Sequence, residues 1–125
     1  MAAVAAATKQ TILIVDDEDD IREMLKDIFE DEGFAVDVAA NGAIALALLQ
    51  QKPPPSVIVL DLRMPVMDGR QLYETMKATP SLAHIPVIIS TSDPSFAPSG
   101  VLIIRKPVAL DLLLDAVRKF ARQTV

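Results

Sequence analysis

The chain has 125 residues, 51% of them hydrophobic and 23% charged, with a formal charge of −5. That is enough for one domain with its own core, and the acidic balance argues against nucleic acid or an anionic membrane surface as a direct partner. With no cysteine there are no disulfides, thiolate metal sites or cysteine nucleophiles, and a reducing compartment is compatible. No apolar stretch is long enough to span a bilayer. The Ala-rich start, Met1 to Ala7, lacks the basic n-region and long h-region of a signal peptide. Residues 1–10 are expected to be a mobile tail and residues 11–125 the domain.

In chain order the pattern alternates strand and helix. Ile12 to Val15 reads as a fully buried strand. Asp19 or Asp20 is expected to cap a helix to about Glu32, with Ile21, Leu25, Ile28 and Phe29 inward and Gly33 as its stop. Ala35 to Ala39 alternates and is less apolar, which suits a sheet edge. Asn41-Gly42 turns into a helix over Ala43 to Gln51, stopped by Pro53-Pro54-Pro55. Val57 to Leu60 is the third strand, Leu62 to Met67 a loop, and Asp68 the cap of a helix from Gly69 to about Ala78. After the loop Pro80 to Pro86 comes a strand, Val87 to Ser90. The rhythm then fails: Ser92 to Gly100 contains Pro94, Pro98 and Gly100, so a loop or single turn is expected. Val101 to Ile104 is the last strand. Leu110, Leu113, Leu114, Val117 and Phe120 stripe a final helix to about Arg122. Such alternation predicts an α/β fold with a doubly wound parallel sheet, and ligands in such sheets sit beyond the carboxyl ends of the strands.

Three apolar runs stop at charges: the first strand at Asp16-Asp17, the third at Asp61, the fifth at Arg105-Lys106-Pro107. If these strands are parallel neighbours, Asp16, Asp17, Asp61 and Lys106 converge on one site. Clustered carboxylates repel one another and need a cation; all-oxygen donors suit Mg²⁺ (or Mn²⁺). Asp61 is the candidate nucleophile toward phosphorus, Lys106 the cation for a phosphoryl oxygen, and Thr91 a hydroxyl donor to another. An ionised carboxylate needs no general base for this.

The segments Ile14-Val15-Asp16-Asp17-Glu18, Asp61-Leu62-Arg63-Met64-Pro65-Val66-Met67-Asp68-Gly69, Pro86 to Ser92 and Lys106-Pro107 resemble the receiver domain of bacterial two-component response regulators, over about Thr11 to Arg122. The resemblance implies a flavodoxin-like sheet of five strands in the order 2-1-3-4-5. It implies that Asp61 is the phosphoacceptor, fed by a histidine kinase or a histidine phosphotransfer protein. Asp17, Asp61 and the Arg63 backbone carbonyl would ligate Mg²⁺, with Asp16 acting mostly through water. Thr91 would be the switch hydroxyl, Lys106 the partner of the phosphoryl group, and Pro107 a cis-peptide proline that aims the lysine inward. A cytoplasmic phosphoprotein that catalyses only its own phosphorylation and dephosphorylation follows from the same resemblance.

The sequence departs from the family in two places. Fifteen positions separate Thr91 from Lys106, short of the family norm by roughly two helical turns of about 3.6 residues, so the family's fourth helix is shortened or replaced. The family's switch aromatic, three positions before the lysine, is Ile103 here. Both changes fall on the usual output face. Phe96 or the edge of the last strand is the candidate for partner contact, and a monomer or weak, non-standard dimer is expected. The Arg63 side chain reads as exposed at the pocket rim; turned inward, it would slow hydrolysis of the phosphoryl bond. The alternative is a phosphorylation-independent pseudo-receiver that binds proteins through the same fold. A metal-dependent phosphohydrolase is disfavoured because its Asp-x-Asp motif would need an aspartate where Arg63 stands.

Overall fold

In the computed structural model of the chain, residues 9–123 are described. Five strands, β1 (Thr11–Val15), β2 (Ala35–Ala39), β3 (Val57–Leu60), β4 (Val87–Thr91) and β5 (Leu102–Arg105), form one sheet in the order β2-β1-β3-β4-β5. Every pairing is parallel. Four helices accompany it: α1 (Asp19–Asp31), α2 (Gly42–Gln51), α3 (Gly69–Lys77) and α4 (Leu110–Gln123). Between β4 and β5 the described chain has one 3-10 turn, Pro94–Phe96, in place of the fourth helix that the resemblance implies.

The near-continuous apolar strands are explained by burial on both faces. Successive residues alternate between two cores. Leu13, Val15, Ile58, Leu60 and Ile89 face α2 and α3, meeting Ala45, Leu49, Leu72 and Met76. Ile12, Ile14, Val59, Ile88 and Ile104 face α1 and α4, meeting Leu25, Phe29, Leu113 and Val117. Phe29 is fully buried and meets Phe34 edge to face at 6.2 Å between centroids. Burying one such side chain contributes about 2–3 kcal/mol, so the two stripes dominate the attachment of α1 and α4.

Several expectations shift. Residues 1–8 of the expected tail lie outside the described residues, but Gln10 is anchored: its side-chain amide donates to Ala121 O at 2.7 Å and its carbonyl accepts from Ala35 N–H at 2.9 Å. The N-cap of α1 is Glu18, without a side-chain cap bond, and Asp19 and Asp20 lie in the first turn, where they complement the helix dipole instead. Strand β5 begins one residue later than the apolar run suggested, because its pairing is set by Ile88↔Leu102 and Thr91↔Arg105 rather than by hydrophobicity.

Candidate functional site

Parallel register brings the charged strand ends together. Asp16 N–H donates to Ala39 O at 3.1 Å, Asp61 N–H to Val15 O at 2.9 Å, and Lys106 N–H to Thr91 O at 2.9 Å, so each residue continues the ladder one step past its strand. Asp16 and Asp61 are buried, at 4% and 6% exposure, whereas Asp17 and Glu18 are exposed. Lys106 comes from the far side of the sheet and inserts its ammonium among them. Its Nζ lies 2.9 Å from Asp16 Oδ2, 3.5 Å from Asp61 Oδ2 and 3.5 Å from Glu18 Oε1. The peptide bond between Lys106 and Pro107 is cis.

The remaining oxygens are fixed by backbone. Leu62 N–H donates to Asp61 Oδ1 at 2.8 Å, and Glu18 N–H donates to Asp16 Oδ1 at 2.9 Å. Arg22 donates to the Asp16 carbonyl at 2.7 Å and also pairs with Asp19, so α1 steadies the acidic turn. The loop after Asp61 is held by two glycines. Gly69 N–H donates to Leu62 O at 2.8 Å, and a Cβ on Gly69 would fall 2.1 Å from the Asp61 carbonyl oxygen. Gly42 N–H donates to Met67 O at 2.8 Å, and a Cβ there would meet Met67 at 2.8 Å. Asp68 closes a capping box with Gln71 at the start of α3. Between these anchors Val66 adopts φ +69° with its side chain 83% exposed.

Burial pushes the Asp61 carboxyl up to about 6; the Lys106 charge opposes this and the Asp16 and Asp17 charges add to it. Burial works against the Lys106 ammonium as well, but its hydrogen bond to Asp16 and the charges of Asp16, Asp61 and Glu18 outweigh that and shift its titration upward. The pocket is therefore short of positive charge. Carboxylate oxygens of Asp16, Asp17 and Glu18 lie within 4.8 Å of one another. A set of hard oxygens already gathered around an ammonium fits a small divalent cation.

Of the residues singled out in the sequence, Asp16, Asp61 and Lys106 meet directly, and Asp17 joins Asp16 on the solvent side. Thr91 is 1% exposed at the end of β4, and its Oγ1 accepts from Asp93 N–H at 3.2 Å. The Arg63 side chain points outward: it pairs with Asp93 at 2.9 Å and stacks 4.3 Å above the Phe96 ring. Glu18, given no role of its own in the sequence analysis, belongs to the acidic group. Its place directly after Asp16-Asp17 was the available signal. The pairing of Arg63 with Asp93 crosses thirty positions and had none.

A doubly wound sheet with carboxylates after β1 and β3 and a lysine after β5 defines a class. The chain belongs to the response regulator receiver domain family, whose model matches residues 12–118. It is 35% identical over 118 residues to the sporulation initiation phosphotransferase F of Bacillus subtilis (strain 168), covering 89% of this chain and 93% of that protein. It is 42% identical over 81 residues to the regulatory protein AtoC of Escherichia coli (strain K12), covering 65% of this chain and only 17% of that one. Among solved structures it resembles the signal receiver domain of a signal transduction histidine kinase from Syntrophus aciditrophicus, with 34% identity, TM-score 0.83 and 91% of each chain covered.

Proposed function

We propose that this domain is a Mg²⁺-dependent phosphoacceptor and that Asp61 takes a phosphoryl group from the phosphohistidine of a histidine kinase or a histidine phosphotransfer protein. The observation that carries the reading is the contact of Lys106 Nζ with the buried Asp16 and Asp61 carboxylates, which gathers a nucleophile, a cation and an acidic cation site in one pocket. The ionised Asp61 Oδ2, 3.5 Å from Lys106 Nζ, attacks phosphorus; the P–N bond breaks with its electron pair returning to the ring nitrogen, and a donor imidazole already protonated on its other nitrogen leaves neutral. Leu62 N–H holds Oδ1 and so aims the other oxygen. Lys106 then transfers its pairing to a phosphoryl oxygen, where its charge offsets what the reaction brings in. Thr91 supplies a hydroxyl at the neighbouring strand end. Asp16, Asp17, Asp61 and the Arg63 carbonyl would hold Mg²⁺, with Glu18 beside them. Bound there, the ion would supply neutralisation of phosphoryl charge.

In this reading the domain catalyses only its own phosphorylation and dephosphorylation, occupies residues 11–125, works in the cytoplasm, and signals as a monomer or weak, non-standard dimer to an output partner. No described helix is long and apolar enough to cross a membrane. The test is incubation with acetyl phosphate and Mg²⁺ followed by intact-mass measurement. A gain of one phosphoryl group, lost in Asp61→Asn and on chelation, is expected. An unmodified chain would favour the pseudo-receiver alternative.

A further inference from the structure

Among the described helices, α2 alone has no charged residue, in a chain that is 23% charged. Its inner stripe, Gly42, Ala45 and Leu49, is buried in the core. A second stripe repeats at the same helical spacing on the outer side: Ile44, Ala47, Leu48 and Gln51. Ile44 is 46% exposed, Ala47 and Gln51 are exposed, and Leu48 is half-buried. The loop bonded to Gly42 through the Met67 carbonyl adds Val66, another exposed apolar side chain. The outer face of α1, by contrast, carries Asp20, Glu23, Asp27 and Asp31. A helix that is apolar on both sides is built to be covered on both. Helix α2 packs on β1 and β2, at the end of the sheet away from β5, so this face owes nothing to the altered segment before β5.

We propose that the outer face of α2 is where two copies of this chain associate, with their α2 helices antiparallel about a two-fold axis. The inference is independent of the phosphoacceptor reading. Charge selects the occupant. The chain carries −5 overall, so two copies repel one another over most of their surfaces. At α2 they can meet without opposing or burying a charge. The order of side chains is also self-complementary. The midpoint of the outer stripe falls between Ala47 and Leu48. A two-fold axis through that point sets Leu48 of each copy against Ala47 of the other, large on small, and Ile44 against the stem of Gln51. One such fit is necessarily repeated by the symmetry. The ten residues of α2 span only about 15 Å. A contact of that length falls short of the roughly 1,200 Å² that stable complexes bury, so the pair is weak and exchanges rapidly.

The test is the backbone amide NMR spectrum of the full, unphosphorylated chain as its concentration rises from about 0.02 to about 2 mM, with sedimentation velocity at the upper end. The expected result is a set of shifts confined to residues 43–51 and the neighbouring loop at Val66, growing with concentration, and a sedimentation coefficient moving toward that of a dimer. Added salt should strengthen the association, because it screens the repulsion between two acidic chains and the contact contains no ion pair to weaken. Ala47→Glu and Ala47→Lys each place like charges beside the axis, at an exposed helix position that accepts either residue. Each variant alone should associate on the order of tenfold more weakly than the wild type, and an equimolar mixture of the two should recover association. A wild-type chain that stays monomeric with an unchanging spectrum overturns the proposal and leaves this face to a different protein. Shifts that map to α4 or β5 instead of α2, association that salt weakens, or a mixture no tighter than either variant alone overturn it as well.

Discussion

Replacing Asp61 by Asn isolates the cost of keeping an ionised carboxylate in this pocket. Burial raises the Asp61 pKa from 3.8 to about 6 against the pull of Lys106. Each unit is worth about 1.4 kcal/mol, so in metal-free protein near pH 7.5 the charge costs roughly 3 kcal/mol. With the folded value above the unfolded one, the folded chain holds the proton more tightly. The contribution therefore stabilises below about pH 4 and is lost as pH rises through about 6. Asn keeps the oxygen that Leu62 N–H engages but carries no charge. Asp61→Asn should thus match the wild type near pH 4 and exceed it by about 2–3 kcal/mol at pH 7.5. The chain has no tryptophan, so urea unfolding in chelator is best followed by far-ultraviolet circular dichroism, at half-unit steps of pH. A gap between the two proteins that stays constant from pH 4 to 7.5, or a less stable Asn variant at pH 7.5, would refute the reasoning.

Adding Mg²⁺ to the wild type at pH 7.5 should stabilise it by about 2.7 kcal/mol at a hundredfold excess over its dissociation constant; an unfolding midpoint insensitive to the ion, with calorimetry showing no binding, would remove the cation site. Gly69→Ala forces a Cβ to within 2.1 Å of the Asp61 carbonyl oxygen, where the opposing atoms are backbone. It should cost about 1–3 kcal/mol in urea unfolding and slow acetyl phosphate uptake. Val66→Asn relieves a β-branched residue at φ +69° whose side chain is 83% exposed; a gain of about 1 kcal/mol is expected, and a loss in denaturant midpoint would show that Val66 packs usefully. Among the described residues the buried Ser90 hydroxyl has no hydrogen-bond partner. Ser90→Ala should therefore raise stability by about 1 kcal/mol, a result readable from the same unfolding curves.

The sheet and most of the pocket were legible because both follow from local signals. Apolar runs ending in charge located β1, β3 and β5, and Asn41, Asp68 and Gly33 marked helix ends through their own backbone chemistry. Pro94 and Pro98 announced the missing helix for the same reason. Less legible was whatever depends on which loop lies beside which. Gln10 looked like tail because its partners, Ala35 and Ala121, lie far along the chain. Arg63 was placed at the rim, but nothing local pairs it with Asp93 or sets it over Phe96. Glu18 carried only an ambiguous local signal, because one carboxylate beside two others looks the same as a solvated helix start until Lys106 arrives beside it.

Lys106 reaches Asp16 across ninety positions of sequence. The carboxylates that follow β1 and β3 therefore have no resident ammonium until the fifth strand docks. In the phosphoacceptor reading proposed above, the pocket is thus complete only once β5 is in the sheet.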